Sequence, residues 1–222
     1  MALAALRGDA GTADRIAPGR ESRVHRAAEV AIAALLLILA SPILVVTALA
    51  VFLFSGTPIL YGHVRIGRNG KPFRCWKLRT MAADAEERLN GDALLRRRYV
   101  KNGYKLSEAE DPRVTRIGRL IRRTYIDELP QLVNVLNGTM SLVGPRPVIE
   151  EELSEFEPDI RELLSLRPGI FGAWTSRGRS RPDYPERARI EIDYVRSRSI
   201  RTDAAILLRS LPVVLRGQRP GA

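Results

Sequence analysis

Between Val30 and Phe54 the chain carries no charged residue; the nearest are Glu29 before the run and Arg65 after it. An apolar run of roughly 25 residues would extend about 38 Å as a helix. That exceeds the ~30 Å hydrocarbon core of a bilayer and predicts a membrane segment. Two features bear on how the segment enters. Ser41-Pro42 falls in its middle, where a proline removes a helix hydrogen bond and bends the backbone. Basic residues flank both ends, Arg20, Arg23 and Arg26 before it and His63, Arg65, Arg68 and Lys71 after it. The positive-inside rule then places both ends on the cytoplasmic side. A helix–break–helix hairpin that enters and leaves one leaflet satisfies both features, and a tilted spanning helix is the alternative.

Past Thr57-Pro58, where Tyr61 suits an interfacial anchor, the hydrophobic period changes to two. HVRIG and PFRCWKLRT read as strands around Arg68-Asn69-Gly70, a hairpin signal. Trp76 and Leu78 alternate with Lys77 and Arg79, so both cations share one face of the second strand. Residues 84–105 read as helix and then loop, with Arg96-Arg97-Arg98 facing solvent or lipid headgroups. Helical spacing returns after Asp111-Pro112, a turn. Thr115 is an expected N-cap, Arg116, Arg119 and Arg123 take one side, and Ile117, Leu120, Ile121 and Thr124 take the other. A second helix carries Leu129, Leu132, Val133 and Leu136 on one side and stops at Asn137-Gly138.

The acidic run Glu150 to Glu157 is helix-prone and expected to form a solvated face. A loop-rich stretch precedes a charged helix opening at Pro185-Glu186 and ending near Val195. Asp203 is expected to cap a last apolar helix, broken at Pro212. With Arg209 and Arg216 among its leucines and valines, that helix suits the membrane surface or a core position. Residues 1–22 read as a disordered tail and not as a signal peptide. The predicted fold class is mainly α with a small β-hairpin, in a membrane protein with amphipathic interfacial helices.

The length of 222 residues suits a single modest core. A net charge of +11 with pI near 10.6 points to anionic partners without choosing among nucleic acid, anionic lipid and phosphorylated ligands. The one cysteine, Cys75, excludes an internal disulfide and reads as a buried, inert thiol. His25 and His63 have no motif around them.

The candidate chemistry centres on Ile126-Asp127-Glu128-Leu129-Pro130. Pro130 fits the first turn of a helix, which puts Asp127 at or just before its N-terminus and Glu128 in the first turn. Two adjacent carboxylates there face the positive end of the helix and the upstream arginines. They could hold a divalent metal, and one could act as a nucleophile. The plainer reading makes Asp127 a cap, with Thr124 and Asp127 at capping-box spacing. Downstream, Gly144 and its neighbouring prolines make a stiff turn that presents Arg146 for bidentate contact with a phosphate. Trp174, Arg177, Arg179 and Tyr184 are available for a sugar nucleotide. The acidic Ser107 to Glu110 loop has no support as a metal site.

The run RIGRLIRRTYIDELPQLVNVLNGTMSLVGPRP resembles the signature of bacterial sugar transferases, the monotopic phosphoglycosyl transferases that start glycan assembly on a polyprenol carrier. The likeness continues upstream in Gly70-Lys71-Pro72-Phe73 and Lys77-Leu78-Arg79-Thr80-Met81. Downstream it resumes in Arg167-Pro168-Gly169-Ile170 and in Leu211-Pro212-Val213-Val214-Leu215-Arg216-Gly217. The resemblance implies a re-entrant helix broken at the Ser-Pro pair over residues 23–58 and a cytoplasmic catalytic domain over 59–222. It implies Asp127 as nucleophile, with Glu128 and Asp127 holding Mg²⁺. Arg146, Arg122, Arg123, Lys77 and Arg79 are then expected on phosphates or carrier. The implied reaction passes a sugar phosphate from a UDP-sugar to undecaprenyl phosphate through a phosphosugar-aspartate, with release of UMP. The expected setting is the bacterial inner membrane, catalytic domain on the cytoplasmic face. Membrane lipid is then a partner, nucleic acid is not, and a possible homodimer is left open. Where the family's larger members carry Gly-Leu-Trp-Gln-Val-Ser-Gly-Arg, this chain has Gly172-Ala173-Trp174-Thr175-Ser176-Arg177-Gly178-Arg179. Thr175 in place of Gln leaves sugar specificity open. No multi-span domain precedes the apolar run, so a minimal family member is expected.

Two other classes compete. A basic nucleic-acid-binding protein explains the charge but not the apolar run. A non-catalytic membrane-anchored scaffold explains the run and keeps Asp127 as a cap.

Overall fold

The computed structural model describes residues 22–106, 110–177 and 183–215. The tail over residues 1–21, most of the acidic loop after Leu106, Arg179 and Arg216 lie outside the described residues. The fold is mainly helical, with two small two-stranded sheets among the described residues.

The apolar run forms helix α1, Arg23–Ser55, which is long and apolar enough to cross a membrane by length and composition. It continues through Ser41-Pro42 without interruption. The reason is local. Pro42 has no N–H to give the carbonyl four residues back, Ile38 O, and the Ser41 hydroxyl donates to that oxygen at 2.7 Å. Large side chains such as Ile38, Leu39, Val45, Val46 and Phe54 stand exposed along the helix.

Both ends of α1 are pinned. Near the start, the Arg26 guanidinium donates to the carbonyls of Met140 (3.0 Å) and Val135 and pairs with Glu29 at 3.2 Å. Buried Glu29 in turn accepts from the Leu142 N–H at 3.1 Å, and buried Ala33 packs beside Leu132, Val135 and Met140. At the other end the buried Arg79 guanidinium donates to the carbonyls of Gly56 and Thr57, each at 2.7 Å, and to Ser55 O. A chain leaving a helix has carbonyls without partners, and here one side chain supplies them.

Strands β1 (Leu60–Ile66) and β2 (Pro72–Leu78) pair antiparallel from Leu60↔Leu78 to Ile66↔Pro72. Their turn holds Asn69 and Gly70 in the left-handed region, at φ 58° and 71°. The stretch read as one helix is two, α2 (Ala85–Gly91) and α3 (Ala93–Lys101). Asp92 breaks them apart by capping the second, accepting from Leu94 N and Leu95 N.

Thr115 caps α4 (Arg116–Arg123) as expected, accepting from Gly118 N at 3.0 Å. The turn Ile126–Glu128 and helix α5 (Gln131–Leu136) follow, ended by Asn137 and by Gly138 at φ 83°. Buried Asn134 ties α5 to β2: its Oδ1 accepts from Trp76 N and its Nδ2 donates to Arg74 O.

Strands β3 (Ser141–Val143) and β4 (Gly169–Phe171) pair parallel, a sheet that periodicity did not reveal. A Cβ on Gly144 would lie 2.7 Å from Gly169 N, so only glycine permits this approach.

The last helices are α6 (Ile160–Leu163), α7 (Glu186–Ser197) and α8 (Ile200–Leu215). Three expectations need correction here. Ser199, not Asp203, caps α8, accepting from Thr202 N at 3.1 Å; Asp203 sits buried one turn later and accepts from the Tyr194 hydroxyl. Pro212 does not break α8, which runs on to Leu215. The acidic run is a 3-10 stretch, Glu150–Phe156, that is not wholly solvated, because Glu152 is fully buried among cations.

Candidate active site

A cavity of about 1670 Å³ runs from α1 into the domain. Its apolar wall includes Leu36, Leu39 and Ala40 from α1 and Val213 and Val214 from α8. Its polar wall includes Lys77, Arg122, Asp127, Glu128 and Arg146.

Asp127 is the middle residue of the 3-10 turn Ile126–Glu128, and only 2% exposed. The chain reaches it through Tyr125, held at φ 59° in the left-handed region. That conformation is unfavourable for a side-chain-bearing residue and marks a backbone fixed by its surroundings. Asp127 is not in a capping position. The position before this turn is Tyr125, the position before α5 is Pro130, and neither makes a side-chain cap bond. Thr124 closes α4 instead, its hydroxyl donating to Ile121 O at 2.7 Å. The Glu128 carboxylate accepts from Lys77 Nζ at 2.8 Å. Lys77 reaches it because its position on β2 faces the turn.

The other expected residues divide. Arg122 lines the cavity and its Nε donates to the Thr80 hydroxyl at 2.8 Å. Arg123 is exposed and outside the cavity lining. Arg79 has its terminal nitrogens on the three carbonyls at the exit of α1. Arg146 lines the cavity, with its guanidinium 5.5 Å from the centre of the Trp174 ring and its Nε buried without a partner.

Several residues were not legible in the sequence. Arg113 grips Asp111 through Nε and Nη2, both at 2.8 Å, and stacks over Tyr99 at 5.5 Å. A turn dipeptide thereby becomes a buried ion pair on the cavity wall, one that only Arg113's place two residues after Asp111 hinted at. Behind Arg146 lies a second group. Arg187 stacks on Trp174 (4.6 Å) and Tyr184 (4.7 Å). Glu152 pairs with Arg65 and Arg187 at 3.5 Å each. Burial pulls both guanidinium groups below their ordinary range. Glu191, 1% exposed, is pushed up to about 7 by burial, against the pull of Arg187. His63, on β1, is lowered to about 4 by burial and by Arg65, so it is neutral across the physiological range. No signal short of the fold itself brings these residues from four separate stretches together.

Among the described residues no three acidic, histidine or cysteine side chains converge as a metal cluster. Two adjacent carboxylates on a cavity wall nevertheless fit Mg²⁺, which protein sites commonly bind through one or two carboxylates and complete with substrate phosphates and water.

The chain is similar to known proteins over most of its length. The family model described as bacterial sugar transferase matches residues 20–217. An uncharacterized sugar transferase of Haemophilus influenzae is 45% identical over 204 residues, covering 90% of this chain and 42% of that protein. The undecaprenyl-phosphate galactose phosphotransferase of Salmonella typhimurium is 41% identical over 208 residues, 91% of this chain and 42% of its own length. The exopolysaccharide production protein ExoY of Sinorhizobium fredii is 38% identical over 196 residues, covering 85% and 84%. The chain thus spans less than half of the first two relatives and most of the third.

Proposed function

Because the chain belongs to the bacterial sugar transferase family, we propose that it transfers a sugar 1-phosphate from a UDP-sugar to undecaprenyl phosphate, with Asp127 as nucleophile. The observation that carries this reading is the placement of buried Asp127, beside the Lys77–Glu128 pair, in a cavity also lined by Leu36, Leu39 and Ala40 of the apolar helix α1. A soluble phosphosugar and a lipid phosphate need such a meeting place.

Asp127 acts as the nucleophile of the two carboxylates, with Lys77 holding Glu128 beside it. Its carboxylate oxygen attacks the β-phosphorus, the bond from that phosphorus to the bridging oxygen breaks, and UMP leaves with that oxygen. An oxygen of the lipid phosphate then attacks the same phosphorus. The aspartyl–phosphorus bond breaks and the carboxylate is restored. Arg146 and Arg122, fixed by Trp174 and Thr80, hold the charged oxygens as the transition states form. Glu128 and Asp127 would hold Mg²⁺, which would supply positive charge against the diphosphate. Arg79 acts at one remove, positioning the membrane exit against β2.

Anchors to the same domain at both ends of α1 support a re-entrant course, and the basic flanks support the cytoplasmic face. A straight helix from Arg26 to Ser55 would be about 44 Å long. The partners of its two anchors lie on joined elements: Val135 neighbours Asn134, Asn134 holds Trp76 N, and Arg79 is three residues, about 10 Å, further on. A helix bent at Pro42 satisfies both anchors.

The test is UMP release from a panel of UDP-sugars by protein supplied with Mg²⁺ and undecaprenyl phosphate, beside Asp127→Asn and a chelator control. Release with one donor, abolished by Asp127→Asn in folded protein, supports the reading and names the sugar. Undiminished release from Asp127→Asn removes Asp127 as nucleophile, and no release with any donor removes the transferase reading.

A further inference from the structure

Four buried side-chain atoms without a hydrogen-bond partner, Arg146 Nε, Trp174 Nε1, Arg187 Nε and the Tyr184 hydroxyl, gather around the buried Glu191 carboxylate, which the Arg146 backbone N–H approaches. Buried polar groups are normally paired, so such a concentration needs a physical account. The charges supply one. The guanidinium groups of Arg65, Arg146 and Arg187 meet the carboxylates of Glu152 and Glu191 here, and Glu152 is shared between Arg65 and Arg187. Glu191 is the remaining counter-charge. It projects from α7, and a Cβ on Gly172 would sit 3.7 Å from its Oε1, so its carboxylate is separated from the cavity only by the Gly172–Trp174 wall. The charged and titratable groups that face it are Arg187 on its own helix, Arg146 from the loop after β3, Glu152 from the 3-10 stretch and Tyr184 ahead of α7.

We propose that Glu191 is a positioning residue for donor binding: a buried counter-charge to Arg146 that takes up a proton when the diphosphate of a nucleotide docks against that guanidinium. The proposal rests on the donor reading given above. Before docking, ionised Glu191 offsets the excess positive charge of the arginines. After docking, the ligand's oxygens do so, and a second buried anion is unfavourable.

The sign follows from linkage. Glu191 in the free protein titrates at about 7, and a nearby anion raises that value further. Well below pH 7 the group is neutral in both states and costs nothing. Above pH 7 binding must also bring a proton, so affinity falls. If docking raises the group by about one unit, UDP binds Glu191→Gln about fivefold more tightly than wild type at pH 8 and equally at pH 5.5. The loss of a negative group that matters only for packing predicts no such pH-dependent difference.

The experiment is isothermal titration of UDP, with Mg²⁺ present throughout, into wild type and Glu191→Gln between pH 5.5 and 8, in two buffers of different ionisation enthalpy. The titration of UDP itself cancels between the two proteins. The expected result is affinities that coincide at low pH and separate above 7, and an uptake of about half a proton at pH 7.5 by wild type beyond that of the variant. Binding of UDP by both proteins with the same pH dependence and proton uptake overturns the role of Glu191 and leaves the donor reading standing. No UDP binding by wild type overturns the donor reading and this proposal with it. If Glu191→Gln fails to fold, Glu191→Met, which also cannot take up a proton there, replaces it in the same comparison, and equal uptake by that variant and wild type refutes the proposal.

Discussion

Gly118 sits in α4, where alanine would ordinarily stabilise a helix by about 1 kcal/mol. Here the opposite sign is expected. A β-carbon at that position would lie 2.7 Å from the carbonyl carbon of Thr80 and 2.8 Å from Thr115 Oγ1, and closer still to the Thr80 oxygen. Backbone cannot rotate away as a flexible side chain can, so α4 must back off from the segment after β2. That segment accepts from Thr115 N at 3.0 Å, and the Thr80 hydroxyl accepts from Arg122 Nε. Overpacking of this kind costs about 1–3 kcal/mol, and a strained backbone hydrogen bond adds about 1 more. Against the helix-propensity gain the net loss is about 2 kcal/mol, or roughly 4–8 °C in melting temperature for a chain of this size. The control is Gly91→Ala at the end of α2, where an added Cβ meets nothing within 4 Å and the change is neutral or stabilising by up to about 1 kcal/mol. Thermal unfolding of both variants in detergent, followed by tryptophan fluorescence, tests the pair. A Gly118→Ala protein as stable as wild type would show that the close approach of α4 to Thr80 is not a constraint. UMP release should fall with it, because Arg122 moves with α4.

Lys77→Met removes the partner of Glu128. Lys77 and Glu128 side chains are 35% and 25% exposed, so stability should change by less than about 1 kcal/mol, while turnover falls by about a hundredfold. Equal losses in both measurements would make Lys77 a structural residue. Glu191→Gln should also change stability with pH. Its folded value is raised from 4.5 to about 7, so wild type keeps its full stability below about pH 4.5, loses it as pH rises to 7, and stays level above. A shift of that size corresponds to about 3 kcal/mol. The variant should therefore melt several degrees above wild type at pH 8 and level with it at pH 4.5, and a constant difference across that range would contradict the shift.

The parts of the fold that the sequence announced are those governed by one local rule. The uncharged run, the Asn69-Gly70 hairpin, the Thr115 cap and the Asn137-Gly138 stop each follow from a few adjacent residues, and the structure has them. Ser41-Pro42 shows the limit of such reading. Pro42 does free a carbonyl, but the neighbouring serine supplies the missing donor, so the helix continues. Glu152 and Asp203 show a second limit. Each stands in a polar stretch that looks solvated or capping. Each is buried because partners outside its own element, Arg65 and Arg187 for one and Tyr194 and Arg198 for the other, make burial tolerable. Composition could not find these pairings, because they exist only once α7 packs against the cavity wall.

Arg79 carries the same point into the site itself. Lys77 and Arg79 share a strand face by alternation, and from the sequence both suit phosphate contact. In the fold, Lys77 meets Glu128, and Arg79, two residues on, takes the carbonyls of Ser55, Gly56 and Thr57. The end of β2 is thus a ruler with two marks. One mark sets the carboxylate turn, the other sets the point where the chain leaves the apolar helix, and only buried Leu78 separates them. A rigid strand end of this kind fixes the height of Asp127 relative to the exit of α1 to within a few ångströms. A reaction between a water-soluble donor and a lipid phosphate depends on that height. On the proposed reaction, Arg79 therefore constrains the chemistry through the height it sets, in addition to any contact it makes from the cavity wall.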